Sequence, residues 1–522
     1  MSGAGSPYGG RAAKAGMAAF LAGRGVSALL TFTSFALAAR LLPLAEYGRY
    51  AAALAVMELA LALSSGGLEW VASRVLPEAR MHAGGRTTAR LLLRIAALQG
   101  TLVLCTAAVV GLAAPLLAEL LRMPDAADAF RLAGVLVAVE GLGRLSRDQM
   151  LGLLMEQRAG QVAQVLRAGL LVLLLLAHVV PGWRSGPPLD AAGMLWLELT
   201  AGASALVAGT LLLARSLWRL RALPATQPDW RPPPRHVLFG LAWHNFAGYL
   251  LSLLYGPQVM TMLVARLLGA EAAAVFGFAR AFTDQVRRYL PTDLLQSVVR
   301  PVLIAYYTSG HSFAELSVRL GLWLKSSLMA LFPLLVFFTA FGEQGMAAIG
   351  GVHYAQAWPV VVLLLCGTAT IACRRVLELG CNAVLQSDIC ARATAALLVT
   401  PPLVVLVLYS TGKLLPAVAL AVAAECIFCW RVARSLKQRG FMGHWDVQGG
   451  VRLLLAWAGA AALLLAAQRV MVFNTQAAVI AAALAAAAAL RMAMPLSADE
   501  GALVASWNGR LARLLGSRRV AA

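Results

Sequence analysis

Charge is scarce in this chain. Only 13% of its 522 residues are Asp, Glu, Lys or Arg, against about 25% in a soluble domain, which excludes an ordinary solvated surface over most of its length. Acidic residues are the scarcer kind, 24 against 44 Lys and Arg. No GxxxxGK[ST] phosphate loop occurs, which excludes ATP hydrolysis of the P-loop type. HExxH is absent, and no Cys, His and carboxylate grouping has metal-ligand spacing, so no cofactor or metal is expected. The seven cysteines (Cys105, Cys366, Cys373, Cys381, Cys390, Cys426 and Cys429) all fall in or beside apolar stretches. An odd number so placed makes no disulfide framework, and the CxxC of Cys426 and Cys429 lacks a second ligand pair. The start, MSGAGSPYGGRAAKAG, is a short basic tail leading into a full-length span, not a short h-region with a cleavage site.

Apolar residues are abundant: 60% of the chain, with a mean hydropathy of +0.75. A run of about 18–20 apolar residues crosses a bilayer as a helix. Fourteen such stretches are expected, near 16–39, 50–70, 92–116, 130–152, 161–181, 192–214, 237–265, 271–300, 318–341, 356–380, 386–410, 414–431, 451–468 and 472–494. The eighth is long and charged and the last two are weaker, so twelve is the conservative number. The expected fold is all-α and polytopic, with 12–14 transmembrane helices in two six-helix bundles and two extra C-terminal helices. The expected divisions are a first bundle over 1–217, a Pro/Arg-rich linker over 218–235 with three consecutive prolines, a second bundle over 236–434, two added helices over 435–495, and a tail over 496–522. In the tail Leu503, Trp507, Leu511, Leu514 and Leu515 alternate with arginines, as in an amphipathic helix on the inner leaflet or a disordered basic tail.

The net charge of +20 is topological. Segments 74–94, 215–235 and 431–452 each carry a cluster of arginines, and these fall on one side if both termini are cytoplasmic, the positive-inside pattern. Nucleic acid is therefore not expected as a partner, whereas anionic membrane lipids are. The outside loops are short, the longest near 178–191, and leave no room for a soluble domain.

One pattern occurs twice. Residues 39–54 read ARLLPLAEYGRYAAAL and residues 265–281 read ARLLGAEAAAVFGFARA. Ala39–Leu42 align with Ala265–Leu268 at an offset of 226, and Tyr47–Gly48 with Phe276–Gly277 at an offset of 229. A helix–loop–helix unit repeated within membrane-type sequence points to a transporter of two related halves.

A charge near the bilayer centre costs about 2.5–3.5 kcal/mol on insertion scales, so charges inside spans mark a cavity or a partner. In the eighth stretch Arg280, Asp284 and Arg287 share a helix face, Arg288 is adjacent, and Pro291, one turn on, is expected to kink the helix. Asp284 leaves this stripe net positive, which suits an anionic ligand such as a pyrophosphate, because guanidinium is a planar bidentate donor. The alternative is a cytoplasmic loop between two shorter helices. Arg24 continues into Ser27, Thr31 and Ser34, a polar stripe that lines a wet groove or glues helices, unless Arg24 snorkels. Glu58 lies mid-span, opposite Arg287 at the 229 offset. Glu140, Arg144 and Asp148, with Arg147 adjacent, form a lumen stripe or a self-neutralised one. His244 and Asn245 serve proton coupling or an interhelical hydrogen bond. The candidate substrate-binding residues are thus Arg24, Glu58, Arg144, Arg280, Asp284, Arg287 and Arg288, and the ion-coupling candidates Glu140, His244 and Asn245. Lys325 and Glu425 are single charges, each a partner or an end effect.

The stretch FALAARLLPLAEYGRYAAALAVMELALALSSGGLEWVASRVLPEAR resembles the opening of bacterial polysaccharide-biosynthesis flippases of the Wzx type. Ala39–Leu42, Pro43, Glu46, Tyr47, Gly48, Gly67 and Leu68 match, with Pro43-Leu44 in place of the usual Gly-Pro. ARLLGAEAAAVFGFARAF resembles the family's second-half segment. IGGVHYAQAWPVVVLLLCGTA resembles a further element through Gly351, Tyr354, Ala357, Pro359 and Val360. The resemblance spans roughly 15–435 and does not specify the cargo. It implies the multidrug/oligosaccharidyl-lipid/polysaccharide (MOP) fold, two six-helix bundles in a V around a cationic cavity. It also implies flipping of an undecaprenyl-pyrophosphate-linked oligosaccharide across the inner membrane, for O-antigen, lipopolysaccharide or exopolysaccharide synthesis, by alternating access. The implied protein is not an enzyme, and polysaccharide polymerase or export machinery are its implied neighbours. A lipid II flippase shares the fold. A multidrug/cation antiporter would favour an acidic cavity. A polymerase or membrane glycosyltransferase usually carries a sizeable outside loop, which this chain lacks.

Overall fold

The computed structural model describes residues 10–154, 156–179, 188–224, 230–254, 256–308 and 310–507. The side chains of His244 and Asn245 lie outside the described residues, as does the tail beyond Trp507. Regular structure among the described residues is helical throughout, as lipid requires, because a helix satisfies its own backbone donors and acceptors. The helices of ten residues or more are α1 (Gly10–Leu41), α2 (Leu44–Ser64), α3 (Leu68–His82), α4 (Gly85–Leu112), α5 (Ala127–Arg144), α6 (Gln157–Ala177), α7 (Ala191–Leu220), α8 (Arg235–Leu253), α9 (Pro257–Leu268), α10 (Ala270–Arg288), α11 (Gln296–Thr308), α12 (Phe313–Gly350), α13 (Trp358–Ala383), α14 (Ser387–Ala396), α15 (Thr400–Thr411), α16 (Leu414–Gln438), α17 (Val447–Gln468), α18 (Thr475–Ala493) and α19 (Ala498–Trp507).

Each of the fourteen expected stretches contains helix among its described residues. Ten among the described residues are long and apolar enough to cross a bilayer, or eleven with α2 and α3 as one span bent by 52°. This is below the twelve to fourteen expected. α1, α5 and α10 stay outside the set, and for α5 and α10 the reason is their charge. α5 carries Asp128, Arg131, Glu140 and Arg144, and α10 carries Glu271, Arg280, Asp284, Arg287 and Arg288. Pro291 does not kink one long helix. α10 ends at Arg288, and Pro291 opens a separate short turn after an extended Leu290, a position where its missing N–H costs nothing. The bend between α2 and α3 sits on Gly66 and Gly67, both left-handed at φ 52° and 76°, backbone that glycine adopts without strain.

The chain divides into two compact units, Met1–Gly277 and Phe278–Ala522. In the first, α5 is central, packed against α2, α4 and α7, while α1 runs along α6, α8 lies on α3 and α9 on α2. Gly134 and Gly141 of α5 let α4 approach: a Cβ on Gly141 would lie 2.5 Å from a Val103 methyl. Small residues at helix contacts are the usual means of association in lipid. In the second unit α12 is central, packed against α13, α17 and α18. Ala478, Ala482 and Ala486 form the buried stripe by which α18 joins the cluster of Phe332, Val336 and Phe341.

The two copies of the repeat meet within the first unit. A Cβ on Gly48 would sit 1.9 Å from the Ala270 carbonyl oxygen, and one on Gly277 would sit 2.6 Å from the Ala51 Cβ. Each copy's glycine is therefore the seat of the other copy's backbone or alanine. Glu46, in the first copy, accepts from the Ala191 N–H at 3.0 Å and pairs with Arg49, tying α2 to the start of α7. Tyr354 stacks on Phe278, ring centroids 4.2 Å apart.

The C-terminal helices are pinned by one buried cation. Lys325 of α12 donates to Asp446, which caps α17, and to Glu500 of α19. Ser497 and Glu500 exchange hydrogen bonds around the first turn of α19, a capping box. Burial alone would push the Asp446 carboxyl up, but the hydrogen bonds from Lys325 and the Gly449 N–H outweigh it and hold the carboxyl below its usual range. This contribution is complete above the ordinary carboxylate range near 3.9 and is lost as pH falls through the lower, folded value. Lys325→Met is expected to leave two carboxylates without their cation and to destabilise the protein by about 3–5 kcal/mol at neutral pH. Thermal unfolding in detergent checks this, and an unchanged Tm would show that the triad does not hold the C-terminal helices.

Candidate functional site: a buried charge network in each unit

In the first unit the network is built on the end of α5. Glu140 is almost fully buried and receives three arginines: Arg144 Nε donates to it at 3.2 Å, Arg167 Nε of α6 lies 3.2 Å away and Arg147 Nη2 lies 3.6 Å away. Arg144 also reaches α2 with two parallel bonds, 2.7 and 3.1 Å, to the Glu58 carboxylate. Arg167 Nη2 donates at 2.7 Å to Glu198 of α7, and the Tyr50 hydroxyl donates to the same carboxylate at 3.0 Å. The interior therefore holds three guanidinium groups against three glutamates, drawn from α2, α5, the turn after α5, α6 and α7. A balanced, hydrogen-bonded set is the form in which charge survives burial. Glu140 and Arg147 side chains are each 4% exposed, whereas Glu58 and Arg144 are 32% and 38% exposed. The accessible edge of the network is thus the Glu58–Arg144 pair.

A wide π-turn at Leu145–Met150 follows α5. Its i→i+5 bonds lengthen the turn by one residue and rotate what comes after. Asp148 consequently leaves the expected Glu140–Arg144–Asp148 stripe and is 58% exposed, while Arg147 turns inward and donates back to Asp148 at 2.8 and 2.9 Å.

In the second unit Asp284 sits between Arg280, at 3.4 Å, and Arg287, at 3.2 Å, with Arg288 exposed. Two adjacent arginines of α13 enlarge the group. Arg374 donates to Glu378 at 2.8 Å and to Glu425 of α16 at 3.1 and 3.3 Å, and its guanidinium lies 4.1 Å from the Phe428 ring centroid. Arg375 donates to Gln296 at 2.8 Å, pairs with Asp293, and is within electrostatic range of Arg287. Four arginines, Arg280, Arg287, Arg374 and Arg375, are matched by four carboxylates, and the exposed Arg288 lies next to Arg287 in the chain. Arg280, Asp284 and Arg287 keep 16%, 25% and 28% exposure, so this set of two arginines and one aspartate is reachable.

The structure thus brings Glu58, Glu140 and Arg144 together in one unit and Arg280, Asp284 and Arg287 together in the other. At the repeat offset Glu58 and Arg287 have separate partners. Arg24 is part-buried on α1, where Thr31 and Ser34 hydroxyls donate to carbonyls of their own helix. Lys325 and Glu425, single charges in the sequence, are partners of Asp446 and Glu500 and of Arg374. Sequence reasoning missed Tyr50, Arg167, Glu198, Asp293, Arg374, Arg375 and Glu378. The available signal was that Arg167 and Glu198, each alone in an apolar stretch, both require a partner.

No curated protein sequence matches the chain. Among solved structures it is similar to a lipid II flippase, MurJ, in an inward closed conformation, with a TM-score of 0.65 and 10% identity over 94% of this chain and 99% of that one. It is also similar to an inward-facing multidrug resistance MATE family transporter of the MOP superfamily, with a TM-score of 0.57 and 14% identity over 79% of this chain and 96% of that one. The fold is that of a multi-pass, all-α membrane protein of the MOP type. Residues 13–306 match the family of polysaccharide biosynthesis proteins, more than half of the chain, and the chain belongs to that family.

Proposed function

We propose that this protein flips an undecaprenyl-pyrophosphate-linked oligosaccharide from the cytoplasmic to the periplasmic leaflet of the inner membrane, for surface polysaccharide synthesis. Both termini are cytoplasmic, and transport proceeds by alternating access. The observation that carries this reading is the part-exposed Arg280–Asp284–Arg287 group with its excess guanidinium charge. Arginine in a membrane stretch is costly unless it serves a ligand or a partner, and its planar fork matches phosphate oxygens. Membership of the polysaccharide biosynthesis family supports a saccharide cargo, and the fold shared with a lipid II flippase supports a lipid-linked one. A cation antiporter is disfavoured by the same charge excess. Within the first unit, Glu58 and Arg144 are the residues proposed to meet substrate, with Glu140 behind them.

The test is depletion of the protein in its own cell, followed by assignment of lipid-linked saccharides to a leaflet. A complete repeat unit is expected to accumulate on the cytoplasmic face while surface polysaccharide is lost. Accumulation of lipid II instead would make that the cargo. Single units reaching the periplasm without chaining would point to a polymerase, and unchanged lipid-linked sugars would overturn the flippase reading.

A further inference from the structure

A cavity of about 260 Å³ lies at one end of the second unit, between α14 and the last turns of α16. Its walls are Arg392 and Ile389 from α14, and Arg431, Ser435, Gln438 and Arg439 from α16 and its C-terminus. Asp388 is the acid beside it, accepting from Arg392 at 3.1 Å and from Arg439 at 2.6 and 2.8 Å. Arg431 is exposed and makes no ion pair among the described residues. Three guanidinium groups around one carboxylate leave the cavity at a formal +2.

A second observation fixes its depth. Ile427 and Trp430 of α16 are 52% and 59% exposed, and the Arg434 guanidinium lies over the Trp430 ring, 5.3 Å from its centroid. From there onward the helix turns basic, with Arg431, Arg434, Lys437 and Arg439. An outward tryptophan bordered by arginines marks the level where hydrocarbon gives way to headgroups. Arg431, which lines the cavity, directly follows Trp430.

We propose that this cavity binds the phosphate of an anionic phospholipid in the leaflet next to the basic loops. Arg392, Arg431 and Arg439 hold the phosphate oxygens, as planar donors do best. Ser435 and Gln438 meet a hydroxylated headgroup such as glycerol, and the outward Ile427 surface lies along the acyl chains. Free phosphate has the same anionic chemistry but gains nothing from the apolar flank. The site is separate from the Arg280–Arg287 group, and the proposal does not depend on what cargo the protein moves.

The full-length protein, purified in detergent, is titrated with phosphatidylglycerol, phosphatidylcholine or inorganic phosphate, and binding is read by native mass spectrometry. Phosphatidylglycerol is expected to bind tighter than phosphatidylcholine, and Arg392→Gln/Arg431→Gln is expected to weaken it by about tenfold or more without moving phosphatidylcholine. Because Arg392 pairs with Asp388, the single variant Arg431→Gln serves if the double variant fails to fold, with a smaller loss in the same direction. Equal phosphatidylglycerol affinity in wild type and Arg431→Gln would overturn the assignment. Arg431-dependent inorganic phosphate binding as tight as that of phosphatidylglycerol would overturn the lipid part, leaving a soluble-phosphate site.

Discussion

Changing Arg280 and Arg287 together to Gln is expected to abolish translocation while the protein still folds and reaches the membrane. Hydrogen bonds to charged groups contribute about 1.5–3 kcal/mol each, so loss of two against a pyrophosphate predicts at least a hundredfold fall in rate, on the order of 3 kcal/mol. Both side chains keep some exposure, so their removal opens no deep cavity. It does strand Asp284 without a cation, and the same double variant carrying Asp284→Asn separates the two effects. A rate restored by Asp284→Asn would mean that the arginines serve only to neutralise Asp284, and the substrate assignment would fall. Arg→Lys at both positions keeps the charge but loses the planar fork, and an intermediate rate is expected. Translocation of a lipid-linked oligosaccharide in reconstituted vesicles is the measurement.

Glu140 is expected to behave in the opposite way, as a stability residue. It is the buried carboxylate that Arg144, Arg147 and Arg167 share as an ion-pair partner, and its replacement by Gln leaves three guanidinium groups with two internal glutamates. Breaking a buried ion network from one side costs about 3–5 kcal/mol, enough to lower Tm and yield together. Glu58→Gln, at the exposed edge of the same network, is expected to cost well under half of that while affecting transport more. A double-mutant cycle between Glu140 and Arg167 is expected to return a coupling of about 1–3 kcal/mol. A Glu140→Gln protein with wild-type Tm would show that the network is not what binds these four helices.

The helical stretches were legible because length and apolarity are properties of each segment alone. The two most charged of them, α5 and α10, were legible as anomalies for the same reason, and both carry the residues around which the networks form. Partners were not legible. Glu140 meets Arg167, and Arg374 meets Glu425, because α5 lies near α6 and α13 lies on α16, and no spacing within one helix encodes which helices are neighbours. The stripe of Glu140, Arg144 and Asp148 assumed regular α-helix, and one added residue in the π-turn exchanged Asp148 for Arg147. Lys325 shows a third limit. Its partners Asp446 and Glu500 lie far along the chain, one at a helix cap and one in the first turn of α19, and no spacing near Lys325 points to either.

The mutual seating of the two repeat copies has a consequence for recombination. Gly48 is fitted to Ala270 and Gly277 to Ala51, so neither surface is complete by itself. A crossover in the proline-rich connector, the natural place to splice relatives of different cargo preference, would inherit the two sides of that fit from different parents. Working hybrids must therefore take residues near 44–52 and 269–278 from the same parent, and the inheritable module is this discontinuous pair rather than either half of the chain.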